Sequence, residues 1–233
     1  MQYEIKNAPL PVVVVKLEKG ESIECQKGAM SWMTTTLEMQ TGLGGNGGGG
    51  FLGALGKMAK SAVTGESIFR NTYTATGGAG EIAFASTFPG DIIAFDTTST
   101  PIVAQKSAYL ANTPGVNMEI FFQKKVGAGF FGGEGFIMQK FSGAGTVFLE
   151  INGCVCEYTL GQGESMLIDT GYLAAMEETC SVDIETVKGI GNALLGGEGL
   201  FNTKVTGPGK IWLQTMPAVA LAGAIQPYIV TGN

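Results

Sequence analysis

The stretch "GAGFFG" at 127–132 fits G-x-G-x-x-G through Gly127, Gly129 and Gly132, and it follows an apolar, strand-like run, "VNMEIFF". In a dinucleotide-binding turn such glycines let a pyrophosphate approach backbone N–H groups at a helix start, and an acid farther on takes the ribose. Glu150, 18 residues beyond Gly132, stands near the place of that acid. A helix must follow directly, however, and this chain continues "FFGGEGF", with two more glycines, Gly133 and Gly135, right after the motif in what would be its first turns. The match is a coincidence in a chain where 37 of 233 residues are Gly.

Other chemistry is limited by what the chain lacks. With no histidine, Ser-His and Cys-His pairs, imidazole acid/base work and His-rich metal sites are excluded. The cysteines are Cys25, Cys154, Cys156 and Cys180. Cys154 and Cys156 flank Val155, so a strand would point both thiols to one face, and no second pair has zinc spacing; buried, reduced thiols in a cytoplasmic protein are expected. Glu66, Glu134 and Glu198 each follow a Gly in a recurring motif and could converge as a cation or shared-proton site. The commoner role of such an acid is to accept turn N–H groups. No catalytic residue, metal or cofactor is assigned.

The elements that must position these residues are β-rich. Hydrophobic residues make up 45% of the chain and suffice for a sizeable core, while the charged fraction of 15% and the abundance of Gly disfavour helices. The net charge of −6 and the scattering of 14 basic residues oppose nucleic-acid binding. The longest purely apolar runs, such as "LPVVVV" and "PAVALAGAI", fall short of the roughly 18 to 20 residues that span a bilayer.

Internal comparison supplies the organisation. "GGEGFIMQKFSGAGTVFLE" (132–150) overlies "GGEGLFNTKVTGPGKIWLQ" (196–214) at an offset of 64, with eight of 19 positions identical, Phe148 on Trp212 and Val147 on Ile211. "TGESIFRNTYTATGGAGEIAFAS" (64–86) is a looser copy with three residues inserted before its G-x-G. "GESIECQKGAMSWM" (20–33) likewise matches "GESMLIDTGYLAAM" (163–176), and "GDIIAFD" (90–96) is aligned with the same start. Under the offset Gly129 falls on Ala193 and Glu150 on Gln214, which removes the nucleotide motif from the sister copy. The expected fold is all-β: three related repeats, 1–86, 87–150 and 151–216, closed into one pseudo-threefold body, with a C-terminal tail at 217–233. The G-x-G turns are expected to join hairpins.

Each copy also holds an apolar, Gly-rich connector: "FLGALGKMAKSA" (51–62), "VGAGFFGG" (126–133) and "GIGNALLGG" (189–197). These segments either cover barrel mouths or pack against one another or a neighbouring subunit, the commoner role, or form an exposed apolar face; Phe51, Leu52, Leu55, Met58, Phe130, Phe131, Leu194 and Leu195 are then the candidate surface-docking residues, for a membrane surface or a protein partner.

The blocks "GGEGF" to "GAGTVFLE" and "GGEGLF" to "GPGKIWLQ", the early "KGAMSWM" and "GLGGNGGGGFLGAL" resemble, over nearly the whole chain, the bacterial branch of the family named for a yeast "altered inheritance of mitochondria" protein. The resemblance implies a fold like that of the tryptophan RNA-binding attenuation protein (TRAP-like), a short relative of the double-stranded β-helix. It implies no catalytic residues. The mitochondrial relative's association with the inner membrane favours a membrane surface or membrane-associated partner, and the acidic chain lacks the basic cluster that RNA binding would need. The expectation is a non-enzymatic scaffold, homo-oligomeric and cytoplasmic, peripheral at the inner face of the cell membrane. The alternative is a small-ligand or carbohydrate-binding β protein, or a carboxylate-based hydrolase, with a pocket lined by Trp32 or Trp212.

Overall fold

In "VVVVKL" (Val12–Leu17) Val13, Val15 and Leu17 are buried, the other valines are half-buried and Lys16 is exposed, the period-2 alternation of a strand with one face on a core. The same logic, with β-branched and aromatic residues between Gly turns, produces strands along most of the chain. The computed structural model describes residues 1–7, 9–43, 69–124, 135–186 and 201–229.

Among these, the first stretch carries β1 (Gln2–Lys6), β2 (Val12–Leu17), β3 (Ser22–Gln26), β4 (Trp32–Met33), β5 (Leu37–Leu43), β6 (Phe69–Ala75) and β7 (Gly80–Ala85). Next come β8 (Gly90–Asp96), β9 (Ile102–Gln105), β10 (Tyr109–Asn112), β11 (Val116–Lys124), β12 (Phe136–Gly143) and β13 (Thr146–Asn152). The last run is β14 (Val155–Leu160), β15 (Ser165–Asp169), β16 (Leu173–Glu177), β17 (Ser181–Thr186), β18 (Phe201–Thr206) and β19 (Gly209–Gln214), followed by a short helix α1 (Ala218–Ile225). The protein is thus predominantly β.

Two six-stranded sheets run β5-β6-β3-β10-β13-β8 and β11-β12-β9-β16-β19-β14. Each strand of the second stands six strands later in the chain than its counterpart in the first. Two smaller sheets run β1-β2-β7-β4 and β15-β18-β17. All strand pairs are antiparallel, and the six-stranded sheets are each joined at the middle by one seam, β3 to β10 and β9 to β16. Between sheets lie three apolar clusters, centred on Val15, Tyr73 and Phe84, on Phe141, Leu149 and Trp212, and on Met138, Val205 and Ile211.

Three expectations are corrected here. The G-x-G turns do not close hairpins: β6 and β7, β12 and β13, and β18 and β19 each lie in different sheets, so these turns carry the chain from one sheet to another. Gly143 and Gly209 adopt φ of +98° and +146° there, a region that L side chains rarely enter. Second, "GDIIAFD" forms β8, the counterpart of β14; β9 takes the place of β3, and the shared Gln26-Lys27 and Gln105-Lys106 that end these strands carry the true alignment. Third, only Cys25 and Cys180 are buried: Cys154 is exposed and Cys156 half-buried, because β14 is an edge strand with an exposed outer face.

Candidate functional site

The three connectors join the ends of three antiparallel hairpins, β5 to β6, β11 to β12 and β17 to β18. The last rungs next to the connectors are Leu43 with Phe69, Lys124 with Phe136 and Thr186 with Phe201. In each hairpin the first strand, β5, β11 or β17, is the edge of its sheet. The candidate docking residues Phe51, Leu52, Leu55, Met58, Phe130, Phe131, Leu194 and Leu195 lie outside the described residues, as do Glu66, Glu134 and Glu198. Among the described residues, no three His, Cys, Asp or Glu side chains gather in a way that could hold a metal ion.

The strongest buried polar feature lies at the first seam and was not singled out by motif reading. Arg70 on β6, 5% exposed, pairs with Glu24 on β3 at 2.6 Å. Asn112 on β10, directly opposite Glu24, donates to Thr113 O at 2.8 Å, and the Tyr109 hydroxyl donates to Asn112 Oδ1 at 2.5 Å. Burial pushes the Tyr109 hydroxyl well above its ordinary range, with the Arg70 charge pulling the other way. Cys25, next along β3, is pushed up to about 12 by burial first and by Glu24 second, so this thiol is inert at neutral pH. The one sequence signal was an Arg in "FRNTYTA" at a buried strand position.

Glu150 ends up at the same seam. Its carboxylate accepts a hydrogen bond from the Ser86 hydroxyl at 2.7 Å and stands in the wall of a cavity of about 300 Å³ with Gln26, Lys27, Ser31 and Thr87. Burial raises its pKa, against the hydrogen bonds from Ser86 and the Thr87 backbone. Such a carboxyl holds a proton more readily than a solvated one and can both donate and accept a hydrogen bond. A second cavity of about 240 Å³ lies between Gln26, Gln105, Lys106 and Ser107. Neither Trp32 nor Trp212 lines these cavities: Trp212 is buried and donates from its indole to Glu157 at 2.9 Å, and Trp32 is 50% exposed at a sheet edge. Among the described residues no helix is long and apolar enough to cross a membrane.

Similarity to known proteins agrees with this architecture over its whole length. An uncharacterized protein of Streptococcus pyogenes serotype M6 is 31% identical over 230 residues, covering 98% of this chain and 90% of the relative. The crystal structure of a Streptococcus pyogenes protein superposes with a TM-score of 0.78 at 28% identity, covering 98% of this chain and 99% of the other. The family model described as mitochondrial biogenesis AIM24 matches residues 3–216, from β1 past the end of β19. The chain belongs to the mitochondrial biogenesis AIM24 family.

Proposed function

We propose that this protein is a non-enzymatic β scaffold that docks on a membrane surface through its three apolar connectors. The observation that carries the reading is positional: each connector spans a hairpin whose first strand is a sheet edge, and β5/β6 and β11/β12 occupy matching places in two sheets of one strand order. Counting six strands further along the chain from β11, β12 and β9 leads to β17, β18 and β15, the members of the three-stranded sheet. This supports three TRAP-like units, 1–86, 87–150 and 151–216, arranged about a pseudo-threefold axis with the connectors on a common side. Three small apolar contacts acting together bind a surface far more tightly than one, because the second and third contacts form at high effective concentration. The setting is the inner face of the cell membrane, with a homo-oligomer adding further connectors.

Co-sedimentation with liposomes, neutral and anionic, tests the reading. Binding is expected to fall about tenfold or more when Phe130 and Phe131 are both changed to Ser, and similarly for Leu194 and Leu195, in line with the free energy of burying two large side chains. Circular dichroism should stay unchanged. Binding that is absent in the wild type, or that survives loss of all three apolar pairs (Phe51 and Leu52 being the third), rejects the membrane reading. The polar cavity at Glu150 keeps the small-ligand alternative in view, and a ligand there would be small and hydrogen-bonding.

A further inference from the structure

After β3 the chain turns through residues 27–31 to reach β4, and Gly28 makes the turn at a φ of +83°, with nothing within 4 Å of where its side chain would begin. This loop lines the cavity of about 300 Å³ together with Ala85 at the end of β7, Thr87 just after it, and Glu150 on β13. That volume is at the low end of small-molecule pockets. Two charged side chains line it among the described residues, Lys27 from the loop and Glu150 from the sheet.

The Glu150 carboxyl is short of donors. It accepts from the Thr87 backbone and from the Ser86 hydroxyl at 2.7 Å, yet Ser86 Oγ has one hydrogen to give and also lies 3.0 Å from Phe88 O. An ionised carboxylate accepts about four hydrogen bonds. No cation stands among the groups that act on it, so burial of its charge is uncompensated. The sister position is complete by contrast. Gln214, which the offset of 64 sets on Glu150, accepts from Asn152 N at 3.2 Å through Oε1 and donates to Gly171 O at 2.8 Å through Nε2. An amide there satisfies itself on its neighbours at both ends. The carboxylate at 150 has no such N–H to give, and it keeps acceptor capacity for a donor that enters the cavity.

We propose that this cavity binds a small zwitterion, with the ligand's primary ammonium held by Glu150 and its anionic group by Lys27. An ammonium brings three donors and the missing positive charge, and charge-assisted hydrogen bonds of this kind are the strong ones. Lys27 sets the other end: a ligand with two cationic ends would be repelled there, and a plain anion would be repelled by Glu150. Ser31 Oγ already accepts from Ala85 N at 2.9 Å, so its hydroxyl hydrogen is left to donate to the anionic group. A free amino acid or phosphoethanolamine carries this chemistry, and so does the ethanolamine headgroup of a lipid. The proposal deepens the small-ligand alternative and uses neither the connectors nor the three-unit arrangement.

Glycine and phosphoethanolamine are titrated into the full chain and followed by calorimetry and thermal melts. Both should bind saturably and raise the melting temperature, with methylamine and acetate, each carrying one of the two charges, about tenfold weaker or worse. Glu150→Gln places at 150 the side chain that position 214 already accommodates, so it should fold and still lose zwitterion binding about tenfold or more. Lys27→Met should lose as much for the zwitterions and leave methylamine unaffected. Vesicles of phosphatidylcholine with and without phosphatidylethanolamine separate the sources: a Glu150-dependent preference for phosphatidylethanolamine assigns the headgroup, and binding of the free zwitterions without that preference assigns a soluble ligand. Absence of both, or binding that either variant leaves intact, overturns the proposal. The connector variants should leave binding of the free zwitterions unchanged, so failure here and failure of membrane docking are read separately.

Discussion

The two closed seams have one backbone plan and opposite interiors. At the first, Glu24 sits between Thr72 and Asn112, with Arg70 and Tyr109 close by; at the second, Val103 sits between Lys140 and Met176. Met138 occupies the ladder place of Arg70, opposite Gln105 as Arg70 is opposite Gln26, and Leu173 that of Tyr109, opposite Leu213 as Tyr109 is opposite Leu149. Met138, Val103, Leu173 and Met176 are all fully buried. The second seam is therefore held by apolar packing and the first by a charged, hydrogen-bonded cluster in which the Arg70 Nε has no hydrogen-bond partner. Burying such a cluster costs about as much as its internal attraction returns, so it adds little net stability but strongly penalises a missing partner. The same backbone joint can be closed by either chemistry, which places its specificity in the side chains and its geometry in the ladder.

The comparison can be broken most sharply at the aromatic positions. Phe148→Ala, in the fully buried ring beside the first seam, should cost about 3–5 kcal/mol in urea unfolding, while Trp32→Ala on β4 at a sheet edge should cost about 1 kcal/mol or less. Equal costs would mean that this edge is as well packed as the seams. Next in size, Arg70→Met alone should lose about 2–3 kcal/mol, less than a fully buried pair because Glu24 remains a quarter exposed. Adding Glu24→Val grafts the second seam's interior onto the first and should recover most or all of that loss; a double variant worse than the single would show that the cluster is more than a tolerated substitute.

The smallest effect is expected at Glu150, whose counterpart Gln214 donates to Gly171 O at 2.8 Å. A carboxyl whose folded pKa is raised costs stability above that pKa, and the cost fades as pH falls through it. Glu150→Gln should therefore be more stable than the wild type at about pH 7, and the two should converge at about pH 4. Thermal melts across that range measure it, and a gap that widens in acid would reverse the assignment.

Much of the strand content was readable from alternation and Gly spacing, and the paired blocks 132–150 and 196–214 do fall on β12–β13 and β18–β19. The offset also paired Phe148 with Trp212, which hold matching ladder places opposite Ala111 and Ala175. What misled was local: a G-x-G between two short strands looks like a hairpin turn, because nothing in three residues says whether the chain folds back onto the same sheet or crosses to another. The Arg70–Glu24–Asn112 cluster was invisible for a related reason, since Glu24 and Asn112 are 88 residues apart and meet only when β3 finds β10.

The amino-acid sequence alone determined the periods and the exclusions: strands with one buried face, no imidazole chemistry, an acidic surface, and three apolar connectors between strand pairs. Tertiary structure decided which edges meet. Every strand offers the same backbone donors and acceptors, so alternation specifies which face is buried but not the neighbour to left or right; that choice is made by the packing of whole sheets. It is why two seams close within the chain, why β15 and β4 end their sheets among the described residues, and why an Arg could settle where its sister position holds a Met.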